Sequence, residues 1–241
     1  MSTKKIALFF SIYQGVFFCI SGAYEYTYEQ EQEIPKPEES VIAFDLHGVV
    51  FKLDYFSLVQ KIITNPRLSW QFPLLASSSF RENLHIIRSK TRVWEQVFDK
   101  LEELYPDFKE CRSIFMSLAN AQTPNKDMIE LVEELRIRGY RLYILSNIGP
   151  TMLNDIYQKY PEIMSLFLGK YTPTVENKYH HKPQQEFYAE FKKYLIYQGQ
   201  EGKQVIFIDD HDDNLEAATQ AGFVSIKFKS AEQLRQIFKP K

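Results

Sequence analysis

The sequence predicts an α/β fold: a mostly parallel sheet covered by helices on both faces, with an all-helical segment inserted after its first strand. Three observations predict it. Short apolar runs at 41–44, 141–145 and 204–208 each stop abruptly at polar residues, the way strands buried on both faces read. From residue 122 onward such runs alternate with segments of helical periodicity, as consecutive strand–helix units do. Between 54 and 122 the segments have helical spacing and none reads as a strand.

The chain has 241 residues, enough for one domain of moderate size or a core with a smaller cap. At 44% hydrophobic and 25% charged it has ordinary globular composition. A net charge of −2 supplies no basic surface, so no nucleic-acid partner is expected. Two cysteines, Cys19 and Cys111, make neither a disulfide framework nor a zinc site.

Residues 1–23 differ from the rest. Lys4 and Lys5 precede an apolar run, Ile6 to Ile20, interrupted by Ser11, Gln14 and Gly15, and small residues Ser21-Gly22-Ala23 follow. This pattern predicts a signal peptide or anchor and an exported protein, periplasmic or secreted. The run falls short of the ~20 apolar residues of a membrane span, so a membrane is involved only if the segment is an uncleaved anchor. A buried N-terminal segment of a cytoplasmic protein is the alternative. Residues 24–40, acidic and proline-bearing, read as a linker.

The first strand, 41–44, ends in Asp45. A carboxylate there is too costly to bury alone and belongs at the carboxyl edge of the sheet, where open α/β folds bind ligands. In extended chain, His47 shares a side with Asp45, and Gly48 permits a sharp exit. A strand ending in a solvated turn is the plain alternative. Helical spacing then predicts helices at 54–63 with Asp54 as N-cap, 80–88, 93–105 stopped by Pro106, and 108–121. The domain reading is a core of 41–53 and 122–241, with a helical cap at 54–121.

Thr123-Pro124 reads as the opening of a helix that closes at Gly139. A strand at 141–145, a helix at 152–160, a weak strand at 169–172 and a helix at 185–197 follow. The strand 204–208, a short helix 214–221 closed by Gly222, a strand 223–228 and a helix 231–238 complete the chain.

Three of these strands end in chemistry-bearing residues: Asp45, Ser146-Asn147, and Asp209-Asp210. Lys182 opens a helix between the second and third. In a parallel sheet these groups converge on one edge. Three carboxylates there repel unless a cation joins them, and Mg2+ suits an all-oxygen site. Ser146, Asn147 and Lys182 supply donors and a positive charge for a phosphoryl group, and an aspartate can act as nucleophile.

In these motifs the chain resembles the haloacid dehalogenase-like (HAD) hydrolases, of the kind with a helical cap between the first and second motifs. Phe44-Asp45-Leu46-His47-Gly48-Val49 resembles the first motif, Ile144-Leu145-Ser146-Asn147 the second, Lys182-Pro183 the third, and Ile208-Asp209-Asp210 with Asn214 the fourth. The resemblance covers about 41–238. It implies a Rossmann-like three-layer core, Mg2+ and hydrolysis of a small phosphorylated substrate. It also implies that Asp45 is nucleophile and metal ligand, the His47 carbonyl a second ligand and Asp210 a third, with Asp209 supporting it. Ser146 and Lys182 would bind the phosphoryl oxygens.

His47 departs from the pattern, because the family's phosphatases usually carry a second aspartate there as general acid and base. A histidine can do such work, and nearby carboxylates are expected to raise its pKa toward the acid form. Two alternatives stand beside phosphomonoester hydrolysis. One is a catalytically weak or inactive member that binds a phosphorylated ligand. The other is C–P or C–halogen cleavage, against which the dehalogenases' lack of a metal-type fourth motif counts.

Overall fold

The computed structural model describes residues 34–53, 77–91, 93–109, 112 and 122–239. The signal-like segment, the predicted helix at 54–63 and most of that at 108–121 lie outside them. The described residues fall into two compact units, 34–53 with 122–239 and the helical residues between. Among the described residues no helix is long and apolar enough to cross a membrane.

The larger unit is built on a five-stranded parallel sheet. Its strands are β1 (Ser40–Phe44), β4 (Arg141–Leu145), β5 (Gly169–Tyr171), β6 (Gln204–Asp209) and β7 (Val224–Lys227), in the order β5-β4-β1-β6-β7. The chain winds outward from β1 in both directions, so β1 and its neighbours flank the point where the winding reverses, and ligand crevices form there. In register, Phe44 lies level with Ile144 and with Ile208. Asp45 and Asp209 follow directly and Ser146 comes two positions after Ile144, so all three emerge at one edge.

Both faces of the sheet are covered. Val41, Ala43, Tyr143, Leu145, Val205 and Phe207 point to one face and pack with Phe187, Phe191 and Leu195 of α6 (Gln185–Tyr197) and with Leu215 and Ala218 of α7 (Asp212–Gln220). The alternate residues Ile42, Phe44, Leu142, Ile144, Ile206 and Ile208 are also fully buried. That is why these strands read as unbroken apolar runs rather than alternating ones. Phe44 meets Phe167 edge-on at 6.0 Å on this second face. The helix α3 (Lys126–Ile137) contacts β4 and the last helix, α8 (Ala231–Ile237).

One element differs from its sequence reading. Thr123-Pro124 does not open a helix: Gln122–Pro124 is a strand, β3, paired antiparallel with β2 (Phe51–Leu53). The helix starts two residues later, after Asn125, whose side chain donates to the Val49 carbonyl at 3.1 Å and whose N–H reaches Val50. Proline suits an edge strand as well as a first helical turn, and the strand pairing, which local sequence does not show, decided between them. The helix α4 (Pro150–Lys159) is followed by a further short one, α5 (Pro161–Met164), that the sequence reading did not separate.

The other unit holds α1 (Ser78–Lys90) and α2 (Trp94–Leu104). Ser77 caps α1 by accepting the Phe80 N–H at 3.1 Å. Phe80, Phe98 and Phe108 form its aromatic centre, with ring centroids 5.8 and 6.0 Å apart.

Candidate active site

The site grows from the ends of β1, β4 and β6. At the end of β1 the chain turns tightly: Phe51 donates its N–H to the Leu46 carbonyl and Gly48 to that of Phe51, each at 2.8 Å. Gly48 sits at φ +88°, and a Cβ there would collide with Asp210 Oδ2. Only glycine fits, and the same contact places the Asp210 carboxylate against the Asp45–Gly48 turn.

Lys182 is the hub. Its ammonium is 1% exposed and lies 2.6 Å from Asp209 Oδ2 and 3.0 Å from Asp45 Oδ1. Burial works against its charge, but the two carboxylates outweigh burial and raise its pKa. Its backbone is gripped by Asn147, which accepts the Lys182 N–H at 2.7 Å and donates to the Lys182 carbonyl at 2.9 Å. Asn147, expected among the phosphoryl ligands, thus spends both ends of its carboxamide on placing the lysine. Ser146 is buried at the end of β4, its N–H bonded to the Tyr171 carbonyl at 3.2 Å.

Asp209 is saturated. Beside Lys182, its oxygens accept from Asn214 Nδ2 at 3.0 and 3.1 Å and from the His211 N–H at 2.8 Å. Burial would raise its pKa, but Lys182 and the His211 donors hold it below the usual carboxylate range. Asp45 accepts the Leu46 N–H at 2.8 Å and Lys182, both on Oδ1; no described residue donates to Oδ2. Burial pushes its carboxyl up to about 6, with Lys182 opposing and Asp209 and Asp210 reinforcing the rise.

His47 reverses one expectation. Burial, helped by Lys182, lowers its pKa to about 4 against the pull of Asp210. Its Nε2 is buried without a hydrogen-bond partner among the described residues. Proximity to carboxylates was expected to raise it, but desolvation and the ammonium, which a sequence does not display, are the larger effects.

Asp45 and Asp209 share one buried ammonium, and Asp210 adds a third carboxylate against the same turn. Asp45 Oδ2, Asp210 Oδ2 and the His47 carbonyl are hard oxygen donors that fit a divalent cation, which would offset the excess negative charge. Asp209, Asp210 and His211 also bring ligand atoms within 4.8 Å of one another, but the partners of Asp209 already occupy both its oxygens.

Two contributors were not assigned from sequence. Lys227, level with Asp209 across β6 and β7, donates to the Asp210 carbonyl at 2.7 Å and pairs with Asp212 at 2.8 Å. A lysine at the end of a strand beside the fourth motif was the available signal. His211, the residue after Asp210, bonds Asp210 Oδ1 through Nδ1 at 2.8 Å. The carboxylates of Asp209, 3.7 Å from Nδ1, and Asp210 raise its pKa to about 10. His180 and His181 stay local: His180 Nδ1 lies 2.9 Å from Glu190, and His181 Nδ1 3.1 Å from the Tyr179 carbonyl.

Comparison with known proteins agrees with this fold. Residues 39–222 match the haloacid dehalogenase-like hydrolase family, and the chain belongs to it. No curated protein sequence matches. Similar structures include a HAD family enzyme from Bacteroides thetaiotaomicron (18% identity, 83% of this chain and 98% of that one, TM-score 0.58). A HAD phosphatase from Thermococcus onnurineus is similar at 17% identity over 83% of this chain and 98% of its own, TM-score 0.56. The L-2-haloacid dehalogenase of Xanthobacter autotrophicus, with chloropropionic acid covalently bound, matches at 17% identity over 82% of each chain, TM-score 0.53. At these identities the likeness is one of fold.

Proposed function

We propose that this HAD-like hydrolase is a Mg2+-dependent phosphomonoesterase working through an aspartyl-phosphate on Asp45. The observation that carries the reading is Asp210, whose carboxylate lies against the nucleophile's own turn, where Gly48 leaves no room for a Cβ. A second carboxylate beside an attacking carboxylate raises its cost of ionisation, and a cation bound between them removes that cost. A variant of the Bacteroides enzyme holds magnesium and inorganic phosphate, which is in keeping with the reading.

Mg2+ bound by Asp45, the His47 carbonyl and Asp210 would supply positive charge to the phosphoryl oxygens. The remaining chemistry belongs to side chains. Asp45 Oδ2, the oxygen not engaged by Lys182, attacks phosphorus as the bond to the leaving oxygen breaks, and the leaving group departs as its anion. Lys182, held by Asn147, and Ser146 receive the phosphoryl oxygens. Water then attacks the aspartyl-phosphate, and phosphate leaves with Asp45 restored.

His47 divides these two steps. A neutral imidazole accepts a proton from the attacking water but is a poor acid toward a departing alkoxide. The reading therefore favours substrates whose leaving group needs no proton, such as aryl or acyl phosphates. The signal-like segment at 1–23 adds the proposal that the chain acts after export. An intact N-terminus on protein from its native source would count against cleavage, and cytoplasmic fractionation against export.

The test is an aryl phosphate assay on the full chain, with and without Mg2+, beside Asp45→Asn. Turnover that needs both Mg2+ and Asp45 supports the reading. Metal-dependent phosphate binding with no turnover supports instead a phosphate-binding member disabled at His47, whose buried Nε2 without a partner among the described residues is the observation in that reading's favour.

A further inference from the structure

The carboxylate of Asp210 has a division of labour between its two oxygens. Oδ2 lies against Gly48 in the nucleophile's turn. Oδ1 is held by His211 Nδ1 at 2.8 Å. The side chain of Asp210 is 31% exposed, so nothing in the core prevents it from rotating into solvent. His211 can restrain it because His211 is itself fixed: its backbone N–H donates to the buried Asp209 at 2.8 Å, and it is the residue from which α7 starts. The main chain of Asp210 is held from the other side by Lys227, which donates to its carbonyl at 2.7 Å.

From these contacts we infer that His211 is a positioning residue for cation binding: its imidazole holds one oxygen of Asp210 so that the other stays turned toward the Asp45–Gly48 turn. A partner that orients a ligating carboxylate contributes about 10–100-fold to metal affinity. Here the restraint runs outward from the buried Asp209 network, through the backbone and ring of His211, to the oxygen that faces Asp45. The inference rests on the metal-dependent reading of the site. It assigns a function to a residue that binds neither the ion nor the substrate.

The experiment measures Mg2+ binding to the full chain by calorimetry, with metal-free unfolding temperature as the control for fold. His211→Ala removes the donor. His211→Asn restores one, because the asparagine Nδ2 occupies the branch position that Nδ1 occupies in histidine. The expected result is binding weakened about 10–100-fold in His211→Ala, largely recovered in His211→Asn, with both variants still unfolding cooperatively without metal. Unaltered affinity in His211→Ala overturns the inference, as does failure of asparagine to improve on alanine. Retained Mg2+ affinity with a selective loss of Ni2+ or Zn2+ binding in His211→Ala overturns it too, since the ring would then be a ligand. Absence of Mg2+ binding by the wild-type chain overturns the metal reading and this inference together. A defect confined to the variant comparison leaves the metal reading standing.

Discussion

Asp45 and Asp209 stand side by side at the ends of neighbouring parallel strands and share one lysine, yet the protein treats them in opposite ways. Asp209 is fully buried and receives Lys182, both contacts of the Asn214 amide and the His211 N–H. Asp45 is nearly as buried but takes its two donors on one oxygen. Consequently the Asp209 carboxyl is held below the usual range while that of Asp45 rises to about 6. The first is a charge that organises the site. The second is a charge left short of partners, which is the condition a nucleophile needs.

The sharpest way to break this contrast is to make the same change at both positions. Asp45→Asn should abolish hydrolysis, a loss on the order of 10⁴–10⁶ if the side chain is the nucleophile. It should also stabilise the metal-free protein by about 1–3 kcal/mol, because an under-partnered buried charge is removed. Asp209→Asn should destabilise by about 3–5 kcal/mol, because it dismantles a buried ion pair whose other contacts were built around it. Denaturant unfolding of both variants without metal decides the matter. Two changes of the same sign would show that the carboxylates are equivalent and that the contrast is wrong.

Much of this edge was legible beforehand, and the reason is physical. A buried parallel strand is an unbroken apolar run, so its end is marked by the first polar or charged residue; Asp45, Ser146 and Asp209 announced themselves in that way. What was not legible depends on neighbours far apart in sequence. The strand pair β2–β3 joins residues about 70 positions apart, so Pro124 alone could not reveal it. The grip of Asn147 on Lys182 and the reach of Lys227 to Asp210 are likewise tertiary. The direction of the His47 shift was misjudged because composition displays nearby charges but not the loss of solvent.

His47 extends the contrast from the nucleophile to its proton partner. If the neutral ring serves only as a base, His47→Asp should raise hydrolysis of alkyl phosphates by about 10²–10⁴-fold while changing aryl phosphate turnover much less. Rates across a series of leaving groups measure this: the wild-type chain should show the steeper dependence on leaving-group pKa. Equal slopes would mean that His47 already protonates the departing alcohol.

A smaller effect comes from Gly48, whose position couples the two halves of the site. Gly48→Ala places a methyl group where Asp210 Oδ2 lies and asks alanine to adopt φ +88°. The strained backbone costs on the order of 1–3 kcal/mol, and the displaced carboxylate should weaken Mg2+ binding. A variant with normal Mg2+ affinity would show that Asp210 does not ligate from this position.

The smallest expected effect is a pH dependence, and its sign separates the two aspartates without any assay of activity. In the metal-free protein Asp45 has a folded pKa of about 6 against the ordinary carboxylate value of 3.8. The folded state therefore keeps this proton when the unfolded state has lost it. The favourable contribution is present in full below about 3.8 and is lost as pH rises through about 6. Asp209 has the opposite shift, so its contribution is present above its unfolded pKa and is lost as pH falls. Subtracting the unfolding free energy of the wild-type chain from that of Asp45→Asn cancels the other titrating groups to first order. The difference should be near zero at pH 4, grow in favour of the variant by up to about 1.4 kcal/mol per pH unit, and level off above pH 6. A saturating divalent cation should flatten the curve, because it stabilises the ionised Asp45 that burial otherwise disfavours. A difference that is flat in metal-free buffer, or that grows toward low pH, would show that Asp45 is as well satisfied as Asp209 and would remove the basis for calling it the reactive member of the pair.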